Sequence, residues 1–548
     1  MTTAAQAVSA EALQAPSDWL AFGLEKYRTR DLAGALTAFQ SGLAAAEALG
    51  DTAVTSDVTH LHFRLANAAS DLGDLATAEL HYKLALRIDQ SLVHCWCNLG
   101  NLFQRRNRPN DAIPYYVQAL DIDASHLATR LNLANALVTM QQWVIVKPIL
   151  DDLIKDVPDN AQAWNLLGKY LHATGLATAA LKAFETAVSL APNDADSLYW
   201  VASLRQTTGD TDAARASYLD ALKLQPLIRR SGAKFPPDFT VLALYAPFGG
   251  NTPTEYLFDS TPYDTNTYTV LPGQSHDLAL LRSSGDIVVN LISDADQAVD
   301  VLPDAVQLAD QLGGTIINHP REILATTREK VAERLGGLPK VRVPRSVRIP
   351  ADAPSRPDDL VDYLPSSFPI LARPAGTHGG DDFEVIADLA SLSAFIGEHP
   401  GADHYLIDYI DYQSSDGYFR KYRFIFVDGG IWPYHLAIGN TWKVHHVNTD
   451  MIHHQWMQDE EKAFLANPQS VFSPANYDGL RAIADSYDLQ YFGIDCGLDR
   501  EGRLVVFEVN ASMLVHKKNE DMPYKDPYVA DIKAAWDRVV TRVASKST

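Results

Sequence analysis

Three side chains near the carboxyl end of the sequence have the types and spacing of a site for a hard metal cation. Residues 504–509 form an apolar, β-branched run that predicts a buried strand, and Glu508 interrupts it. Asn510 follows on the same face, and a turn at residues 499–502 can bring Asp495 back beside both. Because Mg²⁺ prefers oxygen ligands, this set predicts a magnesium site shared with substrate phosphates. The alternative is one buried glutamate neutralised by a neighbouring cation.

The stretch resembles the metal-binding end of the ATP-grasp superfamily, the carboxylate–amine ligases that include D-alanine ligases and glutathione synthetases. In that family the matching Asp, Glu and Asn hold the magnesium ions that bridge the nucleotide phosphates. The resemblance therefore implies ATP and two Mg²⁺ ions as cofactors. It assigns Asp495, Glu508 and Asn510 as the metal ligands.

Upstream segments follow the order of elements in the same family. A helix predicted at residues 320–336 carries Lys330, whose counterpart reaches the nucleotide phosphates; a solvated lysine is the alternative. A strand at residues 370–372 leads into Arg373, where many family members have lysine, and then into a loop whose glycines can present N–H groups to phosphate. The remaining nucleotide candidates in this loop are Gly376, Thr377, His378, Gly379 and Gly380. His378 either donates to the γ-phosphate or caps the loop.

Two further strands supply the other candidates. Residues 405–409 occupy the place of the family's hinge, so the resemblance implies Asp408 as the ribose contact. Residues 419–427 alternate so that Lys421 and Arg423 share a face. Family members place an arginine near here against the acyl-phosphate, where a fixed cation stabilises the developing charge. Arg423 is therefore the first catalytic candidate and Lys421 the second.

Histidines crowd the region between residues 435 and 454, but their spacing is not that of a zinc site and no cysteine lies nearby. We expect a polar loop that faces the substrate. Beyond the metal motif, Ser512, Lys517 and Lys518 are candidates for contacts to the acceptor or to phosphate, with solvated surface as the alternative for each lysine.

The first part of the chain is repetitive. Small residues recur at a spacing of 34, followed twelve positions later by alanine in most units and four positions further on by a bulky residue. The small positions are Ala66, Gly100, Ala134, Gly168 and Ala202. This is the tetratricopeptide pattern of paired helices, which predicts about six repeats over residues 16–228 after a short tail at 1–15.

Carboxamides line one predicted face of these repeats. The candidate peptide-binding residues are Asn67, Asn98, Asn101, Asn132, Asn135 and Lys169. Because each carboxamide is both donor and acceptor, such a column can bond the backbone of an extended peptide. It resembles the asparagine ladder in the repeats of the O-linked N-acetylglucosamine transferase. A solvated polar wall and a dimer contact are the alternatives.

The pattern changes after the repeats. Residues 229–238 contain two arginines, a glycine and a double proline, and predict a linker. Strands predicted at 240–245, 286–292 and 315–318, with a helix at 297–312, indicate a small parallel α/β subdomain over residues 239–320. The loop at 246–252 lacks dinucleotide-binding spacing, so we expect it to border the acceptor pocket.

Composition excludes several classes. A net charge of −22 argues against nucleic-acid binding, which needs concentrated Lys and Arg. Three cysteines cannot form a disulfide framework and are typical of a reducing compartment. With no signal-peptide pattern and no long apolar run, we expect a cytoplasmic protein without membrane contact.

These patterns predict a multidomain chain: an all-α tetratricopeptide superhelix, then an α+β ATP-grasp module at 321–548 preceded by the small α/β subdomain. The resemblance implies a ligase that joins a carboxylate to an amine through an acyl-phosphate, with release of ADP and phosphate. Its partners would be a peptide or protein held on the repeats and an amino acid or amine co-substrate; both halves permit a homodimer. A kinase and a non-catalytic nucleotide-binding scaffold are the alternatives.

Overall fold

The computed structural model describes residues 14–52, 54–353, 356–377, 382–444, 449–513, 515–516 and 519–547. The chain divides into two compact units, residues 1–224 and 225–548. None of the described helices combines the length and the hydropathy that a membrane span needs. Cys95, Cys97 and Cys496 are buried free thiols.

The first unit consists of helices packed in successive antiparallel pairs, as the repeat pattern predicts. They are α1 (Pro16–Arg28), α2 (Leu32–Leu49), α3 (Thr55–Asp71), α4 (Leu75–Ile88), α5 (Val93–Arg105), α6 (Pro109–Ile122), α7 (Leu127–Thr139), α8 (Trp143–Asp156), α9 (Ala161–Ala173), α10 (Ala177–Leu190), α11 (Ala195–Thr207) and α12 (Thr211–Leu224). A short 3₁₀ turn, Gly50–Thr52, follows α2 and accounts for part of the longer first repeat.

The 34-residue signature is explained by how each pair closes. The bulky residue of the second helix packs directly on the small residue of the first. A Cβ added to Gly100 would lie 2.5 Å from a ring carbon of Tyr116, and one added to Gly168 would lie 2.7 Å from the ring of Phe184. Tyr116 and Phe184 are fully buried. The small residue therefore permits the close approach of the two helices, and the aromatic ring fills the space between them.

We predict that Gly100→Ala destabilises the protein by about 1–3 kcal/mol, because the added methyl group overlaps a ring that has no room to move in a close-packed core. Thermal unfolding followed by circular dichroism measures the effect. Gly397→Ala is the matched control, since a Cβ there meets no atom within 4 Å. A neutral result for both substitutions would contradict the packing described here.

The second unit contains three sheets. In chain order its elements are β1 (Ile228–Arg230), β2 (Thr240–Tyr245), α13 (Thr254–Leu257), β3 (Asp264–Thr269), α14 (Leu278–Ser283), β4 (Ile287–Asn290), α15 (Leu302–Leu312), β5 (Ile316–Ile317), α16 (Pro320–Ile323), α17 (Arg328–Leu335), β6 (Val341–Arg342), β7 (Ser346–Ile349), β8 (Ile370–Pro374), β9 (Glu384–Ile386), α18 (Leu389–Glu398), β10 (His404–Asp408), β11 (Phe419–Val427), β12 (Gly430–Gly439), α19 (Gln455–Ala466), α20 (Pro474–Asp485), β13 (Tyr491–Leu498), β14 (Leu504–Asn510) and α21 (Asp526–Ser547). Short 3₁₀ helices lie at Pro357–Tyr363, Met451–His453, Pro468–Ser470 and Pro523–Lys525.

The first sheet has the order β1-β3-β2-β4-β5, and its strands are parallel except for β1. The predicted strand at 240–245 is present with those bounds, whereas those at 286–292 and 315–318 are shorter. The prediction that residues 229–238 are entirely linker is wrong at its start, because Arg229 and Arg230 belong to β1. The Arg229 guanidinium pairs with Asp264 on β3, which holds this edge strand in place.

The two other sheets are antiparallel apart from one short edge strand. One has the order β7-β10-β8-β9, and the other β12-β11-β13-β14-β6, with β6 parallel to β14. The single helix predicted at residues 320–336 is wrong: α16 ends at Ile323 and α17 begins at Arg328. The break between them matters because it places Arg328 in the first turn of α17.

Candidate functional site

A cavity of about 630 Å³ in the second unit is lined by residues of β8 and β10 on one side and of β11 to β14 on the other. Asp495, Glu508 and Asn510 all line it. Asp495 lies opposite Glu508 in the register of β13 and β14, and Asn510 is two residues further along β14. Directly opposite and alternate residues share a face of a sheet, so these three side chains project from one face.

A row of charged side chains crosses this sheet. Glu508 pairs in register with Asp495, Asp495 with Arg423, and Arg423 with His435, on four adjacent strands. All four residues line the cavity, and we call them the charged row. Neighbouring strands are about 4.8 Å apart, so the row extends over about 14 Å. The charged row therefore begins with the carboxylate of Glu508 and ends with the imidazole of His435.

A bulge in β14 shapes the end of the row. The register changes between Asp495 and Cys496, which pair with Glu508 and Val506, so Phe507 has no partner position. Because a bulge turns consecutive side chains toward the same side, Phe507 and Glu508 both line the cavity. An apolar wall and a carboxylate thus lie next to each other.

The carboxylates of the row are neutralised by protein cations. Arg423 donates to Asp495 from Nε at 2.7 Å and from Nη2 at 3.0 Å, and Lys421 Nζ lies 3.0 Å from Asp495 Oδ2. Burial opposes ionisation of Asp495, which is only 3% exposed, but Arg423 and Lys421 hold its pKa well below the ordinary value. Asp495 is therefore a carboxylate throughout the neutral pH range.

Glu508 has a different partner. Arg328 Nη2 donates to Glu508 Oε2 at 2.7 Å, from the first turn of α17. Burial acts against the charged form, yet Arg328 keeps the pKa of Glu508 below its usual value. Glu508 is thus neutralised by a neighbouring cation, as the alternative interpretation expected. Asp495, Glu508 and Asn510 also lie together, as the first interpretation expected.

Lys330 does not reach the cavity. Its ammonium pairs with Glu333 at 2.9 Å on the exposed face of α17, and Lys330 is not among the lining residues. The predicted contact of Lys330 with phosphate is therefore not supported, and Arg328 is the cation that this helix presents. Sequence reasoning missed Arg328 because the continuous helix predicted there gives no sign of the break before it.

The other loop candidates lie near the row. Arg373, which is 5% exposed, lines the cavity, packs over the Phe383 ring at 5.2 Å and donates from Nε to Thr377 Oγ1 at 3.1 Å. Gly376 and Thr377 line a small neighbouring cavity that also contains Arg328 and Glu508. Gly376 has φ +77°, a conformation that favours glycine. His378, Gly379, Gly380, Lys517 and Lys518, and the histidines at 445 and 446, lie outside the described residues.

Part of the cavity wall is apolar, and we call this part the apolar slot. Its lining consists of Pro344, Leu371, Phe383, Ile407, Tyr409, Ile410, Tyr412, Trp442 and Phe507. Asp408, at the end of β10, lines the same region and accepts from the Arg345 N–H at 3.1 Å through Oδ2. Its Oδ1 is buried and has no hydrogen-bond partner within the described part of the chain. Buried carboxylate oxygens are rarely left unbonded, so this atom fits a ligand donor.

A second cluster surrounds the His435 end of the row. Glu461 is fully buried and lies 2.5 Å from His435 Nδ1 through Oε1, while Tyr524 donates to Oε2 at 2.5 Å. Lys525 Nζ lies 2.9 Å from His435 Nδ1 and 3.4 Å from Glu461 Oε1. Lys525, His435, Tyr434 and His516 line the cavity.

Sequence reasoning missed this cluster. One signal was available: α19 buries Met457, Glu461, Phe464 and Leu465, so Glu461 lies within an apolar helical stripe. Nothing in the irregular segment before α21 indicated Lys525.

The asparagine column exists, but the carbonyl oxygens of Asn67 and Asn101 are used within the repeats. Asn67 Oδ1 accepts from Tyr82 and Asn98, and Asn101 Oδ1 accepts from Tyr116 at 2.7 Å and Asn132 at 2.8 Å. Both lone pairs of each oxygen are thus occupied, which corrects the expectation that these carboxamides offer a peptide both a donor and an acceptor.

The two remaining candidates of the column are also bonded. Asn135 donates to Gln104 at 3.2 Å, and Lys169 pairs with Asp196 at 2.7 Å. The column therefore ties neighbouring repeats together, and these bonds leave the carboxamide N–H groups of Asn67 and Asn101 for a ligand.

The donor set of the charged row fits a hard divalent cation in chemical type. Asp495, Glu508 and Asn510 supply oxygen atoms only, and Asn510 Oδ1 is oriented by the N–H and hydroxyl of Ser512 at 2.7 and 2.6 Å. The described residues contain no cluster of three or more His, Cys, Asp and Glu side chains suited to a metal. A cation here would share the two carboxylates with the guanidinium groups of Arg328 and Arg423.

Family models match the repeat region of the chain. Models described as "Tetratricopeptide repeat" match residues 59–92, 104–170, 147–195 and 195–226. The first unit is a tetratricopeptide repeat domain. No curated protein sequence matches the chain.

Solved structures similar to this chain include three repeat proteins of low identity. MamA from Desulfovibrio magneticus RS-1 is 16% identical, with 31% of this chain and 97% of that chain covered at a TM-score of 0.29. YrrB, a tetratricopeptide protein with an unusual peptide-binding site, is 22% identical, with 30% and 86% covered at 0.26. The type IV pilus biogenesis factor PilW is 19% identical, with 39% and 94% covered at 0.33.

We predict that the cluster around His435 makes stability depend on pH. Burial, together with the nearby Lys525, lowers the pKa of His435 to about 4, whereas an unfolded imidazole titrates near 6.5. The unfolded chain takes up the proton first, so the stability contributed by neutral His435 is complete above pH ~6.5 and is lost as the pH falls toward ~4. The free energy of unfolding should fall by about 2 kcal/mol from this group between pH ~7 and ~5.

Urea unfolding at the two pH values measures the effect, with His435→Gln as the comparison. The substituted protein should show a shallower pH dependence than the parent by about that amount. Parallel pH profiles for the two proteins would contradict the prediction.

Proposed function

We propose that residues 225–548 form an ATP-grasp module that joins a carboxylate to an amine at the expense of ATP. The observation that carries the proposal is one cavity whose wall has an apolar part and a charged part. An apolar slot with the unbonded Asp408 oxygen suits a nucleoside, and the charged row with its cations suits a triphosphate. Two antiparallel sheets contribute the two sides of this cavity, which supports the resemblance stated from the sequence.

In this proposal each cavity residue has a role set by its position. Asp408 accepts a hydrogen bond from the ribose, and Phe383, Tyr409 and Phe507 are among the residues that pack on the base. Arg373 and Arg328, which line both cavities together with Glu508, bind phosphate oxygens, because guanidinium groups offer paired donors for them. Asp495, Glu508 and Asn510 would hold magnesium, which neutralises phosphate charge when bound.

The chemistry proposed is acyl activation. A substrate carboxylate oxygen attacks the γ-phosphorus of ATP, the bond to the β-phosphate oxygen breaks, and ADP leaves with that electron pair. An amine then attacks the acyl carbon, inorganic phosphate leaves, and the amine loses a proton as the amide forms. Arg423 and Lys421, fixed by Asp495, present positive charge where the acyl-phosphate develops.

We predict that Glu508→Gln and Asp495→Asn reduce ADP release by roughly 100- to 1,000-fold, the range typical of removing one electrostatic contact at a reacting centre. A coupled assay of ADP with Mg²⁺-ATP, amino acids and peptides measures the rate, and circular dichroism verifies folding. Glu333→Gln is the matched control, because Glu333 pairs with Lys330 away from the cavity. Normal turnover by Glu508→Gln or Asp495→Asn would refute the metal assignment, and ADP release that requires a hydroxyl and no amine would indicate a kinase.

We further propose that the repeat domain binds a peptide or protein partner through the amide N–H groups of the asparagine column. A specific test is Asn101→Asp, which keeps an oxygen that can accept from Tyr116 and Asn132 and replaces the N–H donors by a charged carboxylate oxygen. We expect an almost unchanged thermal midpoint and roughly tenfold weaker binding to an arrayed peptide library, the loss typical of one hydrogen bond to a ligand.

Asn135→Ala is the companion substitution on the next repeat, where the side chain donates to Gln104. Equal peptide binding by the parent, Asn101→Asp and Asn135→Ala would exclude the column as the binding surface.

A further inference from the structure

The end of the cavity beyond Arg423 contains a buried cation that the proposed nucleotide site does not use. Lys525 lies in the 3₁₀ turn Pro523–Lys525, directly before α21. It lines the cavity but is only 6% exposed. A buried ammonium is costly unless it is paired. The carboxylate of Glu461 provides the opposite charge, and the Lys525 ammonium also lies 5.2 Å from the centre of the Tyr434 ring.

The geometry around Lys525 leaves it able to bind a further group. An ammonium has three N–H donors. The acceptor that the described residues place beside Nζ is Glu461 Oε1 at 3.4 Å. His435 Nδ1 lies 2.9 Å from Nζ, but it is 2.5 Å from Glu461 Oε1 and therefore directs its own proton at that carboxylate. Lys525 thus has a donor available to a molecule in the cavity, and an ammonium in a low-dielectric site favours an anion.

The support for Lys525 is rigid. Glu461 is fully buried, accepts from the Leu436 N–H at 3.0 Å and from Tyr524 at 2.5 Å, and lies beside His435. A carboxylate with this many donors is held in one orientation. Glu461 thus acts as a positioning residue for Lys525.

The position of Lys525 separates it from the proposed reaction centre. It contacts His435, which is two strands away from Asp495 in the charged row, a separation of about 10 Å. One carboxyl group is too small to contact Lys525 and at the same time attack a phosphoryl group held near Asp495 and Glu508. The anion at Lys525 therefore belongs to a different part of the bound molecules than the reacting carboxylate.

We propose that Lys525, held by Glu461, binds an unreacted carboxylate of the amine co-substrate. The co-substrate is then an amino acid, or a peptide with a free carboxyl terminus, and not a simple amine or polyamine. This inference rests on the proposed ligase function and specifies the substrate class of the same site.

The test compares amino acids with their carboxamides. ADP release by the full chain is measured with Mg²⁺-ATP, a peptide mixture as carboxylate donor, and each standard amino acid or the matching amino-acid amide. We expect stimulation by at least one amino acid and little by its amide. In Lys525→Met the KM for that amino acid should rise roughly 10- to 100-fold, the loss expected for a hydrogen bond to a charged group, while the KM for ATP stays the same.

Three variants distinguish binding from folding. Lys525→Arg keeps the charge and should retain most of the affinity. The double variant Lys525→Met with Glu461→Gln removes both buried charges and should fold even if the single variant does not, yet still show the raised KM. Lys462→Met is the matched control, because Lys462 lies next to Glu461 on α19 and packs over Tyr524 but does not line the cavity; its KM should equal that of the parent.

The outcomes separate this inference from the proposed function. Binding of an ATP analogue and Mg²⁺, measured by calorimetry, tests the nucleotide site alone, and its absence refutes the ligase proposal together with the inference. If the nucleotide binds but amides and simple amines stimulate ADP release as well as amino acids do, or no amino acid does, the carboxylate subsite is refuted while the nucleotide site stands. An unchanged KM in the double variant also refutes it.

Discussion

The second unit depends on how one antiparallel sheet accommodates buried charge. Asp495 lies in the middle of a strand whose other residues are almost all buried, and an isolated carboxylate there would be very unfavourable. Arg423, the directly opposite residue on β11, compensates it with two hydrogen bonds, and Lys421 adds a second positive charge. Cations from outside this sheet compensate the carboxylates at the two ends of the row, Arg328 at Glu508 and Lys525 at Glu461, which lies beside His435.

This pattern has a consequence for chemistry. Because Asp495 and Arg423 are held opposite each other in strand register, a ligand entering the cavity meets charges that are already oriented and need little reorganisation. Arg328, Glu508, Arg423, Asp495, Lys421 and Lys525 all line the cavity, where a phosphate, a metal ion or a carboxylate can reach them. The pairs that stabilise the folded sheet are thus also the groups that would bind substrate, and removing one partner affects both properties.

The repeat domain follows a different rule, in which polar side chains are satisfied within the domain. Each Asn67 and Asn101 oxygen bonds a tyrosine of its own helix pair and an asparagine of the next pair. The column therefore sets the alignment of neighbouring repeats in the same way that Gly100 and Tyr116 set the packing within one pair. The N–H groups that these structural bonds do not use are the ones that could bind a ligand.

The sequence by itself determined what depends on local periodicity. The 34-residue spacing predicted the helix pairs and their small-on-bulky contacts. Alternation predicted β11, the apolar β-branched run predicted β14, and the turn after Asp495 predicted that this residue faces Glu508. These features follow from the 3.6- and 2-residue periods of helix and strand, which a chain carries irrespective of its tertiary fold. Only the tertiary structure decided which charges meet. Arg328 rather than Lys330 reaches the cavity because α17 begins after a break that periodicity does not show, and Lys525 joins His435 and Glu461 across separations of 90 and 64 residues. Contacts between segments so distant in sequence are set by how sheets and helices pack, and the residues concerned carry no local pattern that would reveal their partners.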